Sequence, residues 1–134
     1  MFKLIRLLIA LAFSLAMSAS FAAAADLTTA EKASLQAGMQ QHIDRNLVEG
    51  AYLRLDLATG GVSKLHPVTA HPMILRLGQY YVLCSDFRDD KGAAVNVDFY
   101  MASRGKSFVV FDTVVDHRAE LEKLMKDGKA SMVK

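Results

Sequence analysis

Polar and apolar positions alternate with period two along the middle of the chain, from Gly78 to Asp116, and recur at helical spacing on either side of it. Between Val95 and Met101 the alternation is clean: Val95, Val97, Phe99 and Met101 are apolar, while Asn96, Asp98 and Tyr100 are not. That is the pattern of a half-buried antiparallel strand. Similar runs precede and follow it, separated by Asp90-Lys91-Gly92 and Ser103-Arg104-Gly105. Each spacer is a small polar residue, a basic residue and a glycine. This suits a three-residue hairpin loop in which a type I turn ends on a left-handed glycine. The middle of the chain is therefore expected to be a three-stranded meander.

The loops fix a register, and the register fixes faces. With Asp90 to Gly92 as the first loop, Asp89 faces Ala93. One face then carries Tyr81, Leu83, Ser85 and Phe87 against Val95, Val97, Phe99 and Met101, and the other pairs Val82, Cys84 and Asp86 with Tyr100, Asp98 and Asn96. The same loop at Ser103 to Gly105 puts Val109, Phe111, Thr113 and Val115 in the core and Phe108, Val110, Asp112 and Val114 on the other face. A two-residue Arg104-Gly105 loop would exchange them. The shared position of glycine favours the three-residue form.

A helix is expected before the meander, over residues 29 to about 48. Thr28 and Glu31 make an S/T-x-x-E capping box, and Leu35, Met39, Ile43 and Leu47 form an apolar stripe with His42 and Asn46 at its border. Gly50 is the expected C-terminal cap. From Ala51 to Leu57, leucines at 53, 55 and 57 alternate with Tyr52, Arg54 and Asp56, and Thr59-Gly60-Gly61 turns the chain into a second strand near Val62. The prolines of His66-Pro67 and His71-Pro72 remove backbone donors, which predicts a rigid extended connection or an edge rather than a regular inner strand. After Asp116, placed to cap it, a short helix presents Leu121, Leu124 and Met125 and ends at Gly128. Lys129 to Lys134 are expected to fray.

The order of helix, hairpin, meander and helix describes an α+β fold, with helix packed on antiparallel sheet. In outline the long N-terminal helix cradled by a bent sheet resembles the cystatin or nuclear-transport-factor-2-like arrangement. The resemblance is one of topology and implies no substrate or catalytic residue.

The first 25 residues change the electrostatic picture. Lys3 and Arg6, an apolar stretch from Leu7 to Met17 and an alanine-rich end at residues 22–25 have the anatomy of a secretory signal peptide. An uncleaved anchor is the rival, since a spanning helix needs about 20 apolar residues. Serines at 14, 18 and 20 favour cleavage, hence a periplasmic or secreted single domain over residues 26–134, with no membrane association after processing. The chain carries 16 Lys+Arg and 14 Asp+Glu, and losing Lys3 and Arg6 leaves 14 of each. A neutral domain without a basic stripe argues against nucleic acid as a partner. Cys84 is the single cysteine and forms no intramolecular disulfide.

No sequence motif specifies chemistry, and no cofactor is expected. Cys84 in an apolar strand reads as an inert small hydrophobe. His66 and His71 would need further ligands, such as His42 or His117, to hold zinc or copper. In the preferred register Asp86, Asn96 and Asp112 form a row across three strands, the two acids about 10 Å apart, a spacing compatible with an inverting hydrolase. On the same face Val82, Cys84, Phe108, Val110 and Val114 flank Tyr100 and Asp98 as one apolar area, too large for the short C-terminal helix to cover. These features point to a non-catalytic module that binds a ligand or partner through Asp86, Asn96, Asp98, Tyr100, Asp112, Val110 and Phe108, with a sheet-to-sheet homodimer as the leading form. A small hydrolase using Asp86 and Asp112, and metal handling by the His-Pro segment, are the alternatives.

Overall fold

The computed structural model describes residues 26–134. The expected leader lies outside the described residues. The architecture is α+β. Helix α1 (Thr29–Arg45) is followed by β1 (Leu47–Val48), β2 (Ala51–Leu55), β3 (Val62–Leu77), β4 (Tyr80–Arg88), β5 (Ala94–Arg104) and β6 (Ser107–Val115), then α2 (Arg118–Lys126) and β7 (Ala130–Met132). All pairings are antiparallel, in the order β1-β2-β3-β4-β5-β6, with β7 added to β3.

The capping box starts α1 as its sequence dictates. Thr28 Oγ1 accepts from the Glu31 N–H at 3.1 Å and Glu31 Oε2 accepts from the Thr28 N–H at 2.8 Å. The helix stops at Arg45, short of the expected end, because Asn46 closes it with its N–H on the Ile43 carbonyl and its side-chain amide on that of His42. Gly50 is not its cap. Glu49 and Gly50, both at positive φ (52° and 81°), form the tight turn between β1 and β2, the backbone a two-residue hairpin loop demands.

The two turns of the meander differ although their sequences match. At the first, Asp89 faces Ala93 across a loop of Asp90, Lys91 and Gly92, and the β4–β5 register follows as expected, from Arg88 opposite Ala94 to Tyr81 opposite Met101. The Asp89 carboxylate accepts from the N–H groups of Lys91 and Ala93 and so holds this turn. At the second, the equivalent position is Ala102, which has no acceptor. The loop there contracts to Gly105 and Lys106, with Gly105 at φ 62° and Arg104 opposite Ser107. Neither loop expected from the sequence forms.

A bulge then adds a further shift. Met101 faces Val110 but Tyr100 faces Asp112, leaving Phe111 as the extra residue. Phe108 and Val110 consequently pack into the core beside α1, contrary to the expected face, while Thr113 and Val115 stay on the expected side. Phe111 is 55% exposed and packs against Tyr80 instead, the two rings tilted at 59°.

β3 is longer and more continuous than its prolines suggested. It pairs with β4 between residues 66 and 77, interrupted by register shifts between Pro67 and Thr69 and between Ala70 and Ile74. These bulges absorb the donors that proline lacks. Opposite β4, β2 covers residues 62–65 and β7 covers 75–77, so the intervening stretch is an edge. Beyond the end of β4, the β2–β3 arm has nothing to pack on. Leu53, Leu55 and Leu57 are therefore exposed, and Tyr52 faces the core from this strand.

Leu35, Met39 and Ile43 of α1 are fully buried against Tyr81, Leu83, Phe87, Val97, Phe99 and Met101. Gly38 permits this approach: a Cβ there would stand 2.9 Å from the Phe108 carbonyl oxygen and 2.9 Å from Met101 Cε. The opposite face carries a smaller cluster of Leu75, Val82, Leu121 and Ala130 beneath α2. Asp116 does not cap α2, since it sits at φ 54° and the N-cap is His117, without a side-chain bond. Gly128 does close it, donating to Met125 O while Lys129 donates to Leu124 O. Nor do the last residues fray. Ala130 is buried, Val133 packs on the α1-side core, and Lys32 Nζ donates to the Lys134 carbonyl.

Candidate functional site

On the α2 face, the sheet carries a connected row of polar side chains. The second β3 bulge turns His71 back over the sheet, where its Nε2 meets Asp86 Oδ2 at 2.7 Å. Gln36 of α1 donates to the His71 carbonyl and fixes the bulge from the other side. Asn96, opposite Asp86 as the register required, donates to Asp86 Oδ1 at 3.2 Å. The first residue of α2, Arg118, completes the row: its Nη2 donates to Asn96 Oδ1 at 2.6 Å and to Asp98 Oδ1 at 3.0 Å. Asp98 is 2% exposed.

Charge within this row is set by its hydrogen bonds. The bond from His71 lowers the Asp86 carboxyl below its ordinary value, burial opposes this, and Asn96 adds to the lowering. Burial disfavours the Arg118 charge, but the hydrogen bond to Asp98 and the surrounding negative groups outweigh it and raise the guanidinium. Burial, and then the neighbouring Asp98, push the Cys84 thiol up to about 12. Cys84 is therefore protonated and no nucleophile. Tyr100 is likewise raised, by burial first and Asp98 second.

Beside the row, α2 leaves a cavity of about 250 Å³ over β3 and β4, walled by Met73, Leu75, Cys84, Leu121 and Met125, with Arg118 and Glu122 as its charged lining. Arg118 Nε is buried and has no hydrogen-bond partner among the described residues. The cavity is thus mostly apolar in its walls, with one buried, unpartnered donor on a side chain that lines it.

Of the residues singled out from the sequence, Asp86, Asn96 and Asp98 are brought together and Tyr100 lies next to them. Asp112 is not part of the row. The altered loop and the Phe111 bulge move it opposite Tyr100, where it accepts from the Thr113 N–H, and Asp116 takes the place opposite Asn96. Phe108 and Val110 belong to the other face. Asp86 and Asp112 are thus not side by side. His66 and His71 each bind a separate carboxylate, Asp90 and Asp86. Among the described residues no three His, Cys, Asp or Glu side chains group as a metal-holding set. Sequence reasoning missed Arg118 and His71 as members of this row. Arg118 follows an unpaired helix start two residues after a buried-face strand, and only the fold of α2 over the sheet brings it to Asp98.

No protein-family model, curated protein or solved structure matches the chain. The likeness to cystatin and nuclear-transport-factor-2-like folds therefore rests on element order alone and assigns no family.

Proposed function

We propose that this chain is an exported, non-catalytic binding module whose ligand lies between α2 and the sheet, with Arg118 as its polar anchor. The observation that carries this reading is the buried, unpartnered Nε–H of Arg118, whose side chain lines a mostly apolar cavity. A buried donor left unpaired costs about 1–3 kcal/mol, which an acceptor on a ligand relieves. Asp98 already balances the guanidinium, so the fitting acceptor is neutral: the carbonyl oxygen of a small, otherwise apolar ester, amide or lactone. The protonated Cys84 and the separation of Asp112 from Asp86 favour binding over catalysis.

The test is an NMR titration of the purified protein with a medium-chain lactone. Saturable shifts at α2 and at Leu75 and Cys84 are expected, absent from Arg118→Met and from Met125→Trp, which fills the cavity mouth. Lactone, ester and amide all failing to bind would sink the reading. Export is checked by mass spectrometry of the exported protein, which should begin near Ala25 or Asp26; a full-length chain held in the membrane contradicts it.

A homodimer through the same face is the second reading, favoured by the exposed Tyr80–Phe111 ring pair, whose centroids are 5.2 Å apart. The cover provided by α2 and β7 narrows the available surface to this outer strip. Sedimentation of wild type against Phe111→Arg decides it, and a wild type monomeric at high concentration removes the dimer.

A further inference from the structure

The second half of α1 presents another recess, on the opposite side of the sheet. Gly38, Gln41, His42 and Arg45 are spaced so that they share one helical stripe, beside the buried Leu35–Met39–Ile43 stripe. That stripe faces the β5–β6 hairpin across a cleft of about 310 Å³, whose other wall is Arg104 and the strand from Ser107 to Val110. Gly38 sets the depth of the cleft by letting α1 touch the Phe108 carbonyl. Two arginines from different elements thus line one recess, and no Asp or Glu does.

The other polar groups of the cleft do not neutralise them. Asn46 donates to His42 O, Ser107 Oγ to Arg104 O, and His42 Nε2 is engaged by Tyr52. Among the described residues neither Arg45 nor Arg104 forms an ion pair, whereas Arg118 does. The C-terminal pole of the α1 dipole accounts for a cation at Arg45. It does not account for a second guanidinium arriving from the hairpin opposite.

We propose that this cleft binds a phosphate group, held between Arg45 and Arg104 with Gln41 as a further donor. A carboxylate is satisfied by one guanidinium in a planar fork. A tetrahedral phosphate offers oxygens in several directions and accepts from arginines on opposite walls. The group belongs either to a soluble phosphate compound or to a phospholipid headgroup, and both present the same oxygens. The site is independent of the Arg118 cavity: it uses the other face and different residues.

Two titrations of the purified protein at constant ionic strength separate these sources, one with inorganic phosphate and one with phosphatidylglycerol vesicles, each followed by amide NMR. Saturable shifts confined to Gly38, His42, Arg45 and residues 107–110 are expected. Arg45→Gln and Arg104→Gln should each weaken the response about tenfold, the value of one charge-assisted contact, and the double variant should abolish it. Arg54→Gln, on the distant β2–β3 arm, should bind as wild type, and unchanged signals elsewhere confirm that each variant is folded. Saturation with phosphate assigns the soluble form, and a response to vesicles alone assigns the headgroup. No saturable response in either arm, or one that survives in the double variant, overturns the proposal.

Discussion

The two faces of this sheet are closed in different ways. Against α1, 17 residues long, the buried side chains are almost wholly apolar and include Phe87 and Phe99 at 0% exposure. Against α2, 9 residues long, the sheet buries Val82 and Leu75 but also Asp98, tied to Arg118. Apolar burial is worth about 25 cal/mol per Å². A buried ion pair often contributes no more than a hydrophobic pair of the same volume. The α1 face is therefore where the fold draws its stability, and the α2 face holds charged groups in place at little net gain.

The largest effects should come from the α1 face. Phe99→Ala should cost about 3–5 kcal/mol in chemical denaturation, and Val97→Asp at least as much. A loss below about 1 kcal/mol for either would mean that the stability resides elsewhere. Across the sheet, Asp98→Ala should cost about 2–3 kcal/mol by removing the guanidinium's charged partner and leaving it only Asn96, whereas Asp98→Leu combined with Arg118→Met should recover most of that loss. A double variant as unstable as the single one would show that the pair itself stabilises the fold. Gly38→Ala should cost about 1–3 kcal/mol, because the Phe108 carbonyl is backbone and yields less readily than Met101 Cε. A neutral result would mean that α1 moves freely over β6.

The smallest effect is a pH dependence on the α1 side. Burial lowers the His42 pKa from its ordinary value of 6.5, so the fold favours the neutral imidazole. The unfolded chain takes up the proton first as pH falls. Stability is therefore complete above about pH 6.5 and declines below it until the folded-state pKa is reached. His42→Gln should flatten that part of the wild-type profile in thermal melts between pH 7 and 5, and superimposable profiles would contradict it. Asp86 acts in the same direction at lower pH: its contribution is present above the ordinary carboxylate range and lost as pH falls through its lowered value.

The parts of the fold legible in the sequence are those with a local physical cause. Thr28 and Glu31 specify a helix start by themselves, and Asp89 holds the first turn with its own carboxylate. The second turn copied the glycine but not the acceptor, since Ala102 stands where Asp89 does, and the register moved with it. The bulges at Phe111 and between Ala70 and Ile74 depend on how neighbouring strands compete for pairing, which no short window of sequence records. Half of the polar row was accordingly visible, through the Asp86–Asn96 pairing. Asp112 was misplaced by the same register error, and Arg118 and His71 reach the row only through long-range folding. Asn96, named from the sequence as part of the polar face, bridges Asp86 to Arg118.

The edge of β3 between its partners β2 and β7 has a consequence for how copies of the chain meet. An unpaired strand edge is a template for intermolecular pairing and for aggregation. Here Pro67 and Pro72 leave gaps in the row of donors, the bulges break its flatness, and Gln36 occupies the His71 carbonyl. An incoming strand finds no regular ladder to extend. The two His-Pro dipeptides should therefore hinder strand addition at this edge, and replacing both prolines with valine should raise light scattering on concentration without lowering the melting temperature.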